Sequence, residues 1–104
     1  MMEDFKIVLS TEEKNLCLKE IDKRLKRILY VYEQSTMNIK YDYKAYVYSV
    51  IIYISSFNSL FNFDLTNIII NLNSLLTNDF KKSHIRKIVL ECKHIICDLQ
   101  QKGD

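Results

Sequence analysis

Apolar residues recur at intervals of three and four along four separate segments of this chain. In the first segment they are Leu18, Ile21, Leu25, Ile28 and Tyr32. Residues with this spacing lie on one face of an α-helix, because the helix completes a turn every ~3.6 residues. The chain also has no proline and a single glycine, Gly103, so it lacks the Gly-containing turns that close tight β-hairpins. Together these features predict an all-α fold.

The apolar stripes and the capping signals between them predict helices at about residues 11–35, 42–60, 64–77 and 79–101. Ser10-Thr11-Glu12-Glu13 has the S-x-x-E form of a capping box at the start of the first helix. Asp64 is expected to cap the third helix, and Thr77-Asn78-Asp79 offers caps for the fourth. Residues 1–10 are expected to form an arm that lies on the helices. The fold prediction is a single-domain antiparallel bundle of about four helices.

The second segment has a local composition that favours a strand. Residues 46–54, YVYSVIIYI, are rich in β-branched and aromatic residues, which are enriched in strands. The three-four spacing nevertheless continues through Val47, Val50, Ile54, Phe57 and Phe61. A strand does not require that spacing, so we predict a helix here.

Composition and charge narrow the class of protein. Fifteen basic and thirteen acidic residues leave a net charge of +2, which is too balanced to indicate a nucleic-acid partner. Residues 1–6 have neither the basic region nor the apolar stretch of a signal peptide, so we expect a cytoplasmic protein. Residues 45–63 carry no charge, which raises the alternative of a membrane span. The serines and asparagines among them favour helices of a bundle instead, and no membrane span is expected.

Cysteine and histidine offer few routes to chemistry. Cys17, Cys92 and Cys97 are an odd number, and we expect reduced thiols that act as small apolar core residues. The pattern Cys92-x-His94-x-x-Cys97 superficially resembles a metal-binding motif, but no further Cys or His is placed to complete a tetrahedral site. His84 lies nearly three turns before His94. We therefore predict no catalytic, metal or cofactor site and no enzymatic activity.

Basic residues gather on two of the predicted helices. On the first helix, Glu20 can pair with Arg24 and Asp22 with Lys26 at i,i+4, which offsets part of the positive charge. The last helix has less compensation for its basic residues, which are Lys81, Lys82, Arg86, Lys87 and Lys93. A solvated helix face is one interpretation of both groups, and a phosphate-binding face on the last helix is the other.

All seven tyrosines fall between residues 30 and 53. Tyrosine combines a large apolar ring with a polar hydroxyl and is enriched where protein surfaces meet. Two interpretations stay open: core packing, which suits Tyr32 and Tyr46, and a partner-binding patch at the corner between the first two helices. The residues expected in that patch are Tyr41, Asp42, Tyr43, Lys44 and Tyr48.

Residues 79–92, DFKKSHIRKIVLEC, resemble the last helix of small helical bacterial immunity proteins. Those proteins neutralise polymorphic or contact-dependent growth-inhibition toxins. The resemblance implies a cytoplasmic protein that binds a toxin domain and blocks its active site or its substrate surface.

The leading hypothesis is a protein-binding inhibitor of the immunity type, whose interface combines tyrosine anchors with charge complementarity. A small helical nucleic-acid-binding or regulatory protein that uses the basic face of the last helix is the alternative. A membrane-embedded immunity protein is a third. No cofactor is expected, and the sequence leaves open the identity of the toxin, the binding face and the choice between monomer and dimer.

Overall fold

The computed structural model describes residues 7–34, 40–61 and 64–101, without the side chains of residues 40–42 and 101. Within these ranges the chain forms four α-helices, which are α1 (Thr11–Gln34), α2 (Lys40–Leu60), α3 (Thr66–Thr77) and α4 (Lys82–Gln101). Each helix contacts the next along the chain, and α4 also contacts α1. The helices therefore form a closed ring, and the prediction of an all-α four-helix bundle is confirmed.

Contacts between α1 and α2 fix their relative direction. Tyr32, near the end of α1, meets Tyr43, near the start of α2, with ring centroids 5.0 Å apart. Arg24, earlier on α1, lies over Tyr53, later on α2. The two helices therefore run antiparallel, as short connections between neighbours require.

The core lies inside the ring and takes apolar side chains from all four helices. Among the described residues no charged side chain is buried. The buried residues are Leu18, Ile21, Leu25, Ile28, Tyr43, Val47, Val50, Ile51, Ile54, Leu65, Ile68, Leu72, Leu75, Ile85, Ile88, Val89, Cys92 and Ile96. Removing this apolar surface from water is the main favourable term in folding.

The segment with strand-like composition is helical, in agreement with its three-four spacing. Val47, Val50 and Ile54 are at most 1% exposed on the inner side of α2. Burying these side chains between α1 and α3 outweighs the local strand preference, because β-propensity depends strongly on packing context.

Helix α4 buries a wider stripe than its spacing predicted. The three-four spacing of this helix runs through Ile85, Ile88, Cys92, Ile95 and Leu99. Val89 and Ile96 lie outside that stripe but are only 3% and 2% exposed, whereas Ile95 and Leu99 are only partly buried. The reason is that α4 packs against both α1 and α3, so two sides of the helix are covered. Residues with three-four spacing lie on one side of a helix, so they account for contact with only one neighbouring helix.

Hydrogen bonds close two helix ends next to the N-terminal arm. The Ser10 hydroxyl oxygen accepts a bond from the Glu13 amide at 3.1 Å, and the Glu13 carboxylate accepts one from the Ser10 amide at 3.0 Å. The capping box is therefore confirmed. The Ile7 amide donates to the Leu60 carbonyl at 2.7 Å, which satisfies a group that the end of α2 leaves open. Residues 1–6 of the predicted arm lie outside the described residues.

The predicted caps of α3 and α4 are wrong in detail. The N-cap residue of α3 is Leu65, not Asp64. Asp64 lies one residue before the cap, and its carboxylate accepts a hydrogen bond from the Thr66 amide at 3.0 Å. The Thr77 hydroxyl donates to the Asn73 carbonyl at 3.3 Å, and the Asn78 side-chain amide donates to the Ser74 carbonyl at 2.9 Å, which the end of α3 leaves open. Helix α4 begins at Lys82, three residues later than predicted.

Candidate functional site

A shallow groove of about 560 Å³ lies on the outer side of α1 where it meets α2. It is lined by Lys23, Arg24, Lys26, Arg27, Tyr30 and Tyr46, and we call it the tyrosine–arginine groove. In the part of the chain that the structure describes, no acidic residue lines it. Tyrosine and arginine are among the residue types most enriched at binding hot spots, so this composition is typical of a protein-binding surface.

Arg24 joins the two helices that form the groove. Its guanidinium carbon lies 3.7 Å from the centroid of the Tyr53 ring, which is a cation–π contact. Its backbone carbonyl accepts a hydrogen bond from the Tyr46 hydroxyl at 3.4 Å. The Glu20 carboxylate, one turn earlier on α1, lies 3.6 Å from the guanidinium. Arg24 is thus held from both helices, and the floor of the groove is preformed.

Arg27 and Tyr30 form the open part of the groove. They are three residues apart on α1, and the Arg27 guanidinium carbon lies 5.4 Å from the centroid of the Tyr30 ring. Tyr30 is 53% exposed, so its ring is accessible to a partner. Burial raises the pKa of the half-buried Tyr46 phenol, while the charges of Arg27 and Arg24 oppose that shift. The groove therefore presents one accessible ring among cations.

Ion pairs along α1 offset part of the positive charge. Glu20 lies 3.3 Å from the Lys23 ammonium as well as near Arg24, and Asp22 lies 3.3 Å from the Lys26 ammonium. The two pairs predicted at i,i+4 are confirmed. Within the described ranges no acidic side chain pairs with Arg27. Exposed pairs contribute at most about 1 kcal/mol, so the paired cations stay accessible to a stronger acidic partner.

A second cleft, of about 270 Å³, lies between α1 and α4. It is lined by Lys26, Leu29, Arg86, Val89, Leu90 and Lys93, and we call it the leucine cleft. Lys26 also lines the tyrosine–arginine groove. Positive surface therefore continues across α1, from the side that faces α2 to the side that faces α4.

Tyr43, a residue of the predicted tyrosine patch, is buried. It is 4% exposed and packs edge-on against Tyr32. Its hydroxyl has no hydrogen-bond partner among the described residues and lies beside a cavity of about 20 Å³. Burial raises the pKa of Tyr43 to about 12, and the nearby Tyr32 phenol adds to the shift. The expectation that Tyr43 contacts a partner is corrected, because its ring belongs to the core.

Lys44 and Tyr48, the other two described side chains of the predicted patch, point in different directions. Lys44 turns towards the end of α3, where its ammonium donates to the Leu76 carbonyl at 3.3 Å and to the Asp79 carboxylate at 3.0 Å. Tyr48 is 57% exposed on the outer side of α2. The side chains of Tyr41 and Asp42 lie outside the described residues. The three described side chains of the predicted set, those of Tyr43, Lys44 and Tyr48, therefore lie in different places.

The outer sides of α2 and α3 form one surface. Neither residues 45–61 of this surface nor helix α3 carries a charged side chain. Its exposed residues are Ala45, Tyr48, Ser49, Ile52, Ser56, Ser59, Leu60, Thr66, Asn67, Ile70, Asn73 and Thr77, and we call it the uncharged face. It lies across the ring from the leucine cleft. Despite this composition, none of the helices in the described ranges is both long enough and apolar enough to span a bilayer.

The three cysteines lie in different surroundings. Cys92 is fully buried, Cys17 is partly buried and Cys97 is exposed. Cys97 corrects the expectation of three core thiols, because its position on α4 turns it away from the side that Cys92 occupies. His94 is exposed on the same helix. Among the residues that the structure describes, no three His, Cys, Asp or Glu side chains lie close enough to hold a metal ion.

The chain matches no family model, and no curated protein or solved structure is significantly similar to it. The resemblance of residues 79–92 to immunity proteins therefore stays a prediction. The two candidate binding sites are the tyrosine–arginine groove and the leucine cleft.

Both sites include residues that the predicted patch did not contain. Arg27 and Tyr30 could have been found, because an arginine and a tyrosine three residues apart on a solvated helix face are adjacent. The contact between Arg24 and Tyr53 could not, because it depends on how α1 and α2 align. The presence of Lys26 in both sites could not be predicted either, because it depends on how α1 packs against α2 and α4.

Proposed function

We propose that this protein is a protein-binding inhibitor of the immunity type, which neutralises a cognate bacterial toxin in the cytoplasm by covering its active site or substrate surface. The tyrosine–arginine groove carries the proposal. It is an open, preformed surface in which arginine and tyrosine side chains lie side by side, and these residue types supply much of the binding energy at protein interfaces. The inhibitor acts by occlusion and converts no substrate.

The charge of the groove defines the surface that it binds. Lys23, Arg24, Lys26 and Arg27 line it together, and Arg27 has no acidic partner within the described residues. A toxin surface rich in carboxylates would be attracted over a distance and oriented on contact. The exposed Tyr30 ring would supply a buried anchor once the complex forms. Because Arg24 is already held by both helices, its own side chain loses little conformational entropy on binding.

Calorimetry with the toxin encoded beside this protein's gene tests the proposal, and growth of cells that express both proteins gives a second readout. We expect a saturable complex and protection of the cells. No heat of binding together with no protection would overturn the proposal.

A matched pair of charge reversals tests the groove itself. Arg27→Glu and Lys87→Glu change the net charge equally at exposed positions, but only Arg27 lines the groove. We expect Arg27→Glu to weaken binding at least ~10-fold, which corresponds to about 1.4 kcal/mol, and Lys87→Glu to change it less than ~2-fold. Circular dichroism would verify that both variants keep their helices. Equal weakening by both would mean that only the overall charge attracts the partner.

Binding of single-stranded nucleic acid is the second candidate function. It is favoured by the exposed Tyr30 ring between Lys23, Lys26 and Arg27, since a stacking platform beside phosphate-binding cations is the usual arrangement for such ligands. This function predicts an affinity for oligonucleotides that falls steeply as salt increases. Retention on heparin equal to that on single-stranded RNA would mark only non-specific attraction of polyanions, because heparin has no bases to stack on the Tyr30 ring.

A further inference from the structure

We infer that the leucine cleft is a second binding subsite, which takes an acidic amphipathic helix of a protein partner. The inference deepens the proposed function, since it assumes that the partner is a protein and names the chemistry of one of its segments. It depends on three observations: an exposed leucine, cations on both sides of it and an aliphatic floor beneath it.

Leu90 is the apolar residue that the cleft exposes. It is 48% exposed, and Val89 beside it is 3% exposed and belongs to the core. Leu29 of α1 is partly buried and forms the opposite wall. The cleft therefore offers an aliphatic surface that a bound side chain would bury further, with a favourable free energy that grows with the apolar area covered.

Cations surround that aliphatic surface. Arg86 lies four residues before Leu90 and Lys93 three residues after it, so both flank the leucine on one side of α4. Lys26 faces them from α1. Within the described residues no acidic side chain lies within ion-pair distance of Arg86 or Lys93, although Lys82 and, to a smaller extent, the Arg86 charge lower the pKa of Glu33 on α1. Lys26 is paired with Asp22 at 3.3 Å, in an exposed contact that a partner carboxylate can replace. Neither acid of the neighbouring turns, Glu91 or Asp98, lines the cleft.

The combination favours an acidic amphipathic helix over nucleic acid. Such a helix carries an apolar stripe that can lie on Leu90 and Leu29, and carboxylates on either side that reach Arg86, Lys93 and Lys26. A nucleic acid strand has no aliphatic group for this floor, and its bases stack on aromatic rings, which the described lining of the cleft lacks. The volume of about 270 Å³ is also below the range of about 300–1,000 Å³ that small-molecule pockets usually have.

Fluorescence anisotropy of the full-length protein with synthetic peptides tests the inference without the toxin. The probe is a labelled helical peptide with leucines spaced three and four apart and glutamates elsewhere. Two control peptides have the same leucines with lysines in place of glutamates, and the same composition in a scrambled order. We expect saturable binding of the first peptide only. Equal binding of the scrambled peptide would overturn the inference, because charge alone would then account for the affinity.

Variants locate the bound peptide. Arg86→Glu and Leu90→Ala are each expected to weaken peptide binding ~10-fold. Lys87 follows Arg86 but does not line the cleft, so Lys87→Glu should change peptide binding less than ~2-fold. Unchanged binding by Arg86→Glu and Leu90→Ala would overturn the inference. So would tighter binding of a single-stranded oligonucleotide, or self-association of the protein that Leu90→Ala abolishes. If the peptide binds here and the toxin does not bind at all, the proposed function fails while the subsite remains.

Discussion

The guanidinium carbon of Arg24 lies 3.7 Å from the centroid of the Tyr53 ring, so a cation of α1 is fixed against an aromatic ring of α2. Arg24→Ala removes this contact and is expected to lower the free energy of unfolding by about 1 kcal/mol. Lys23→Ala is the matched control, because Lys23 also pairs with Glu20 but lies 66% exposed. It should change stability by less than about 0.5 kcal/mol. Urea denaturation compares the two, and equal losses would contradict the role of the ring contact.

Tyr43→Phe is expected to stabilise the protein, by about 1 kcal/mol. The Tyr43 hydroxyl is buried without a partner among the described residues, and a buried polar group that makes no hydrogen bond is costly. Tyr46→Phe is the control, since its hydroxyl donates to the Arg24 carbonyl and its removal should cost about 1 kcal/mol. Thermal or urea unfolding of both variants gives the answer. A loss of stability in Tyr43→Phe would mean that the hydroxyl is hydrogen-bonded in its small cavity.

Tyr43 also predicts a loss of stability at high pH. Its pKa is raised from 10.0 to about 12, because burial disfavours the phenolate and the Tyr32 phenol adds to the effect. Below pH 10 the phenol is protonated in both the folded and the unfolded chain, so it contributes no pH dependence. Between pH 10 and about 12 the unfolded chain loses this proton first, and stability falls as pH rises. The free energy of unfolding should therefore fall more steeply in the wild type than in Tyr43→Phe over this range, and parallel curves would contradict the buried phenol.

The cysteines should react with iodoacetamide in the order Cys97, Cys17, Cys92. Cys97 is exposed, while burial and the Glu13 carboxylate raise the pKa of the partly buried Cys17. Burial raises the pKa of Cys92 to about 12, which leaves almost no thiolate at neutral pH. Peptide mass spectrometry after timed labelling gives the order, and labelling in denaturant, where all three should react, is the control. Early modification of Cys92 in the native protein would contradict its place in the core.

The four helices could be predicted because helix formation depends largely on local features. The spacing of Leu18, Ile21 and Leu25 identifies a helix by itself, and the Ser10–Glu13 capping box forms between residues of one turn. The wider buried stripe of α4 could not be predicted from that helix alone. It depends on α4 having neighbours on two sides, which is a property of the assembled ring.

The site was harder to predict because it depends on contacts between helices. Tyr43 could have been assigned to the core, since it lies four residues before Val47 and so extends the buried stripe of α2 by one turn. The contact between Arg24 and Tyr53 depends on how α1 and α2 are aligned along their length, and the spacing of residues within each helix does not give that alignment. The same is true of Lys26, whose place in both the groove and the cleft follows from the packing of α1 between α2 and α4.

Backbone hydrogen exchange with and without the bound toxin tests the central claim most directly, because it compares all faces of the bundle in one experiment. The account predicts slower exchange on binding in residues 23–30 of α1 and in the adjoining turns of α2 and α4, with α3 unchanged. Protection concentrated in residues 66–77, on the uncharged face, would contradict it.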